Sequence, residues 1–142
     1  MMAAYLGALF AFCALDFAWL GLLAPSFYQS QVGDLLLDVP RWPAVVLFYL
    51  LYTAGLVGLC ILPAVRAAGG AGGDGRVKVM LSGTLFGLVA YGTYDLSNLA
   101  TLDGWTIPVT IVDMLWGAVA SAIACTCGYV AVKRFATLQD NR

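Results

Sequence analysis

The sequence predicts an all-α membrane protein, a four-transmembrane-helix bundle with a short interfacial helix between helices one and two. Two observations carry this. Of 142 residues, 62% are hydrophobic and only 11% charged, whereas soluble domains carry about 25% charged residues. Four apolar stretches each reach the roughly 20 residues needed to cross about 30 Å of hydrocarbon, and their short connections use up the remaining length. One integral membrane domain over 1–142 follows, with spans at about 3–24, 44–65, 77–100 and 107–132.

Helix one runs from Ala3 to Ala24, where Pro25 ends it. A secretory signal would place Lys or Arg before its apolar stretch; none precedes Tyr5, and the stretch is long enough to be retained as a span. Residues 25–43 form the long connection. Ser26 followed by Gln29 resembles a capping box. Tyr28, Val32, Leu35 and Val39 recur at helical spacing, as in a short amphipathic helix lying on a membrane surface. Trp42, inside Pro40-Arg41-Trp42-Pro43, suits the interface.

Helix two runs from Ala44 to Val65, with a kink expected at Pro63. Five Gly between Ala67 and Arg76 read as a flexible linker, and without a Lys-Ser/Thr they make no phosphate cradle. Helix three runs from Val77 to Ala100. The short segment Thr101 to Thr106 makes helices three and four a tight antiparallel hairpin, helix four running from Ile107 to Val132. Arg66, Arg76, Lys78, Lys133, Arg134 and Arg142 lie on one side and Arg41 alone on the other, which places both termini in the cytoplasm.

A net charge of −1 gives no reason to expect nucleic acid as a partner. The absence of His removes histidine-ligated haem and the usual zinc and di-iron sites, so no metal and no cofactor are expected. The four Cys read as small packing residues, and Cys125-x-Cys127 is too closely spaced for a CxxC motif.

Three carboxylates fall within the spans: Asp16, Asp95 and Asp113. A charge at mid-bilayer costs at least about 2.5–3.5 kcal/mol, so such residues face protein or water and are functional candidates. At 1.5 Å rise per residue all three lie roughly 7–12 Å below the outer surface, which suggests one polar layer. Three close carboxylates in low dielectric cannot all be ionised, so at least one is expected to hold its proton.

Neighbours at helical spacing fill out that layer. On helix three, Thr84, Tyr91, Asp95 and Asn98 share a face, with Tyr94, Ser97 and Thr101 nearby. On helix four, Thr106, Thr110, Asp113, Gly117, Ser121, Ala124 and Gly128 form a small-and-polar stripe that turns Asp113 into the bundle. Tyr49 and Tyr52 bring hydroxyls from helix two. Helix one is in conflict with itself. Ala4, Gly7, Ala11, Ala14, Ala18 and Gly21 make a packing stripe, while Asp16 lies opposite with Tyr5, Leu9, Phe12, Trp19 and Leu23. Either helix one is covered on both sides, or its bulky face lines a cavity or meets another subunit. Asp16-x-x-Trp19 and Asp113-x-x-Trp116 share a spacing on oppositely directed helices.

The run Tyr94-Asp95-Leu96-Ser97-Asn98-Leu99-Ala100-Thr101-Leu102, then Gly104-Trp105 and Val112-Asp113-Met114-Leu115-Trp116-Gly117, resembles the signature of domain-of-unknown-function family 2177, predicted bacterial membrane proteins. Leu15-Asp16, Trp19-Leu20-Gly21 and Phe48-Tyr49-Leu50-Leu51-Tyr52 also match its pattern. The resemblance covers essentially the whole chain. It implies four spans in a bacterial inner (plasma) membrane, and a link to membrane-lipid chemistry through the lipid-modifying enzymes near which members are encoded.

Three functions fit these residues. The first is a pocket open to the outer leaflet, binding a membrane lipid or small amphiphile. Asp16, Asp95 and Asp113 are its candidates for acid–base chemistry, and Tyr49, Tyr52, Tyr91, Tyr94, Asn98 and Trp116 its ligand contacts, with Arg41 for an anionic head group. The second is proton- or cation-coupled transport by a homo-oligomer. The third is an accessory role in a larger membrane complex. Set against all three is a structural reading, in which a protonated Asp merely joins helices at about 0.6 kcal/mol each. Three at one depth favour function.

Overall fold

A computed structural model describes residues 1–68 and 75–140. The Gly-rich connection falls mostly on residues 69–74, outside the described residues, as does Arg142. Every described element is helical: α1 (Met2–Leu23), α2 (Pro25–Val32), α3 (Trp42–Ala67), α4 (Gly75–Thr101) and α5 (Ile107–Asp140), with a short 3₁₀ turn at Gly33–Leu35.

Three of them, α1, α3 and the Ile107–Gln139 stretch of α5, are long and apolar enough to cross a membrane. α4 has the length, 27 residues, but its Gly, Thr and Tyr residues and Asp95 dilute its hydropathy. The last helix continues through Lys133 and Arg134 to Asp140 and does not stop at Val132.

Two wide π turns, Trp19–Leu23 and Leu56–Ile61, interrupt the helices. Each sits just before a proline, Pro25 or Pro63. Proline cannot donate to the carbonyl four residues back, and its ring crowds that carbonyl. A turn closed by i→i+5 bonds relieves this: before Pro63 the helix runs on unbroken, whereas before Pro25 the 2.8 Å bond from Ala24 N to Trp19 O closes the last turn of α1. α2 starts on Pro25 with Ala24 as cap and no side-chain cap bond. Ser26 and Gln29 therefore form no capping box, because Pro25 already fills the first helical position and the cap falls on Ala24, two residues before Ser26.

α4 and α5 form the expected hairpin, closed by Gly104 at φ 87°, a conformation that a side chain would strain. Their contact is backbone-close. A Cβ on Gly87 would stand 2.0 Å from the Gly117 carbonyl oxygen, and one on Gly83 2.8 Å from that of Ser121. The buried line of α4 is thus Val79, Gly83, Gly87 and Asp95. The expected face of Thr84, Tyr91, Asp95 and Asn98 is only partly correct: the Thr84 hydroxyl bonds its own Met80 carbonyl, because the glycines decide which side can approach. On α5 the expected stripe is the packed one, with Thr110, Gly117, Ser121, Ala124 and Gly128 all buried.

α1 buries a line between its two expected faces, taking Phe12 and Asp16 from the bulky one and Ala4 from the small stripe, while Leu23 stays exposed. Ala4, Ala8, Phe12 and Asp16 are buried. Ala4 and Ala8 press on Gly128, and Gly7 meets Ala131, so the upper part of the small stripe does pack. Ala14 and Gly21, lower on it, are exposed. Phe12 stacks on Tyr52 of α3, centroids 4.7 Å apart and planes 11° from parallel, and Tyr52 in turn bonds Ser121 of α5 at 2.7 Å.

Candidate functional site

The packing brings the far ends of α1, α3, α4 and α5 around one cleft of about 540 Å³. Asp16 and Leu20 line it from α1, Tyr28 from α2, and Ala44, Val45, Phe48 and Tyr49 from α3. α4 supplies Tyr91 and Tyr94, and α5 supplies Asp113 and Trp116. A second hollow of about 530 Å³ shares Leu20, Phe48, Tyr91, Tyr94 and Asp113 with the first, and adds Tyr52 and Ala90.

Asp16 is 3% exposed. Its Oδ1 accepts a 2.8 Å bond from Trp116 Nε1, and the Tyr49 hydroxyl also acts on its carboxyl. Asp113 accepts from the Tyr28 hydroxyl, which itself accepts a 2.9 Å bond from Trp19 Nε1. Trp19 and Trp116 stack between these two arms. A second tie, from Thr106 Oγ1 to Gln31 Oε1 at 3.0 Å, fastens α2 to the start of α5.

Asp95 stands behind Asp113, off the cleft wall. It is wholly buried, and neither carboxyl oxygen has a hydrogen-bond partner. Its carboxyl faces that of Asp113. Two carboxyl groups are both acceptors when ionised, so this pair can share a hydrogen bond only when one of them carries a proton. Chemically the site offers acceptors on Asp16 and Asp113, a phenol donor already engaged at Tyr28, and aromatic walls. Among the described residues no Lys or Arg lines it.

The cleft therefore gathers Asp16, Asp113, Tyr49, Tyr91, Tyr94 and Trp116, with Tyr52 on the adjoining hollow. It does not gather Asn98, which is half-buried, or Arg41, which is exposed where α3 begins. Arg41 caps the first turn of α3, outside the lining.

Two residues not foreseen as site members are Tyr28 and Trp19. Their signals were the amphipathic spacing of α2 and the repeated Asp-x-x-Trp. A half-buried Tyr or Trp needs a partner for its polar tip, but which partner depends on where α2 docks. Burial pushes the Tyr28 phenol above its ordinary pKa, and the bond to Asp113 pushes it the same way.

A family model described as "Predicted membrane protein (DUF2177)" matches residues 1–130, a range that includes every residue named at the cleft. No curated protein and no solved structure matches the chain.

Proposed function

We propose that this chain, which belongs to the DUF2177 family of predicted membrane proteins, is a four-span bundle that binds a lipid or small amphiphile in its Asp-lined cleft. The observation that carries the reading is the meeting of Asp16 and Asp113, from two different helices, on one cleft of ligand size. Both sit in helices apolar enough to cross a bilayer. Acids there are costly unless they face a partner or a polar cavity.

In this reading α4 is the fourth span. Its 27 residues reach about 40 Å; Asp95 is buried, and the exposed Thr93, Ser97 and Thr101 donate their hydroxyls to carbonyls of their own helix. The bias of Lys and Arg puts both termini in the cytoplasm of an inner-membrane protein and the cleft in the outer half of the bilayer. α2 then lies at the outer surface, its Tyr28 closing one end of the cleft. Asp113 meets the ligand directly, and Asp95 behind it serves as the second half of a carboxyl pair able to hold or release one proton.

Mass spectrometry of the protein purified in mild detergent tests this. A stoichiometric lipid or amphiphile is expected with the wild type and lost from Asp113→Asn. A wild-type protein that carries none, and takes up none from added lipid, would end the proposal.

A further inference from the structure

We infer that the amphiphile carries a cationic amine head, held by the two carboxyls, with its chain lying in the gap between α3 and α4. This rests on the binding reading above and specifies its ligand.

The head-group chemistry follows from what lines the cleft. Asp16 and Asp113 present acceptor oxygens, and among the described residues no Lys or Arg lines the cleft beside them. Asp16 takes donors from Trp116 and Tyr49, and Asp113 one from Tyr28; all three are neutral groups and leave the charge that two ionised carboxyls would carry without a counter-ion. A phosphate or carboxylate head would meet like charge, and Arg41, the cation nearest in sequence to the α3 wall, lies outside the lining. An ammonium would donate to the carboxyls and lie against Tyr and Trp faces, which attract cations.

The chain's path follows from how α3 packs. Its first half leans on α1 through Phe12 and Tyr52, while α4 is drawn to α5 by Gly83 and Gly87. Backbone contact between α3 and α4 falls mainly from Leu56 onward. Nearer the α3 N-terminus the two helices diverge, and Tyr52 spans the gap by ring contacts to Phe86 and Tyr91 at centroid distances of 5.4 and 6.0 Å. The hollow beside Tyr52 and Ala90 shares Phe48 and Tyr52 with a groove along Leu51, Gly55, Leu59 and Phe86 whose exposed lining is almost wholly apolar. A polar floor beside an apolar trough, with Phe48 and Tyr52 between them, fits one head and one chain.

The test uses the full chain in dodecyl maltoside and three probes of equal chain length: dodecylamine, dodecanol and dodecyl phosphate. Binding is read from the rise in unfolding temperature with probe concentration. The expected order of affinity is amine, then alcohol, then phosphate. Asp113→Asn should weaken dodecylamine about tenfold or more and dodecanol by a smaller factor. Asp38→Asn, at an exposed acid outside the cleft, should leave both unchanged.

Dodecyl phosphate binding as tightly as dodecylamine to the wild type would overturn the amine assignment and leave amphiphile binding intact. Asp38→Asn weakening the amine as much as Asp113→Asn would overturn it too, since the attraction would then be to surface charge. Failure of all three probes to bind would remove the amphiphile reading and this inference with it. The wild-type ranking decides the matter even should Asp113→Asn not fold.

Discussion

Trp19 lies flat on Trp116, ring centroids 4.5 Å apart and planes 9° from parallel, although they come from the first and last helices of the chain. Each stands three residues after an aspartate on its own helix, yet neither serves that aspartate directly. Trp116 donates across to Asp16, and Trp19 reaches Asp113 through Tyr28. The stacked pair fixes the separation of the two carboxyls that line the cleft.

Trp116→Phe keeps a ring for the stack and removes the donor to Asp16. The expected loss is about 0.6–1.7 kcal/mol, the range of side-chain hydrogen bonds between membrane helices. Unfolding in SDS from a mild detergent measures it. A loss no larger than that of a phenylalanine substitution at exposed Trp42 would show that the bond to Asp16 contributes nothing.

Gly87→Ala should destabilise by about 1–3 kcal/mol, because the new Cβ would meet the Gly117 carbonyl and α4 must move off α5. Gly58→Ala, where nothing lies within 4 Å, should stay within about 0.5 kcal/mol of wild type. Equal melting temperatures for the two variants would contradict the close α4–α5 contact.

Asp95→Asn should be neutral or stabilising. The amide can donate to Asp113 as a protonated acid would, and it removes a buried carboxyl without a partner. The same SDS unfolding curve reads it, and a loss above about 2 kcal/mol would mean that Asp95 is needed in its charged form.

Tyr28→Phe should free α2 from α5 and raise amide exchange over residues 25–32 while α4 and α5 keep their protection. The phenol pKa is raised in the folded protein, so its stabilising effect is complete below the ordinary tyrosine pKa of about 10. It is lost as pH rises through the higher folded value. The stability gap between wild type and Tyr28→Phe should therefore be the same at pH 8 and at pH 9, shrinking only in stronger alkali. A gap that closes between pH 8 and 9 would show that the hydroxyl is not held as described.

Much of the architecture was legible because a bilayer imposes one simple demand. Apolar runs of span length announce α1, α3 and α5 within two or three residues at their starts, and the α5 stripe announces its buried face. The prolines were legible as disturbances, but whether a helix breaks or widens is settled by the turn that accommodates them. α4 was legible as a helix, while its contact face was not read from polar periodicity. That face is set by Gly83 and Gly87, whose lack of a side chain matters only once α5 is alongside.

At the site, the sequence by itself determined that Asp16, Asp95 and Asp113 need company, since hydrophobic surroundings penalise a lone carboxyl wherever the helices go. Only the tertiary structure decided what company each has: Trp116 for Asp16, Tyr28 for Asp113, and for Asp95 nothing but another acid. Hydrogen bonds and cleft walls join residues on different helices. Their pairing depends on helix rotation and order, which close glycine contacts and aromatic stacking fix and which spacing along one helix does not encode.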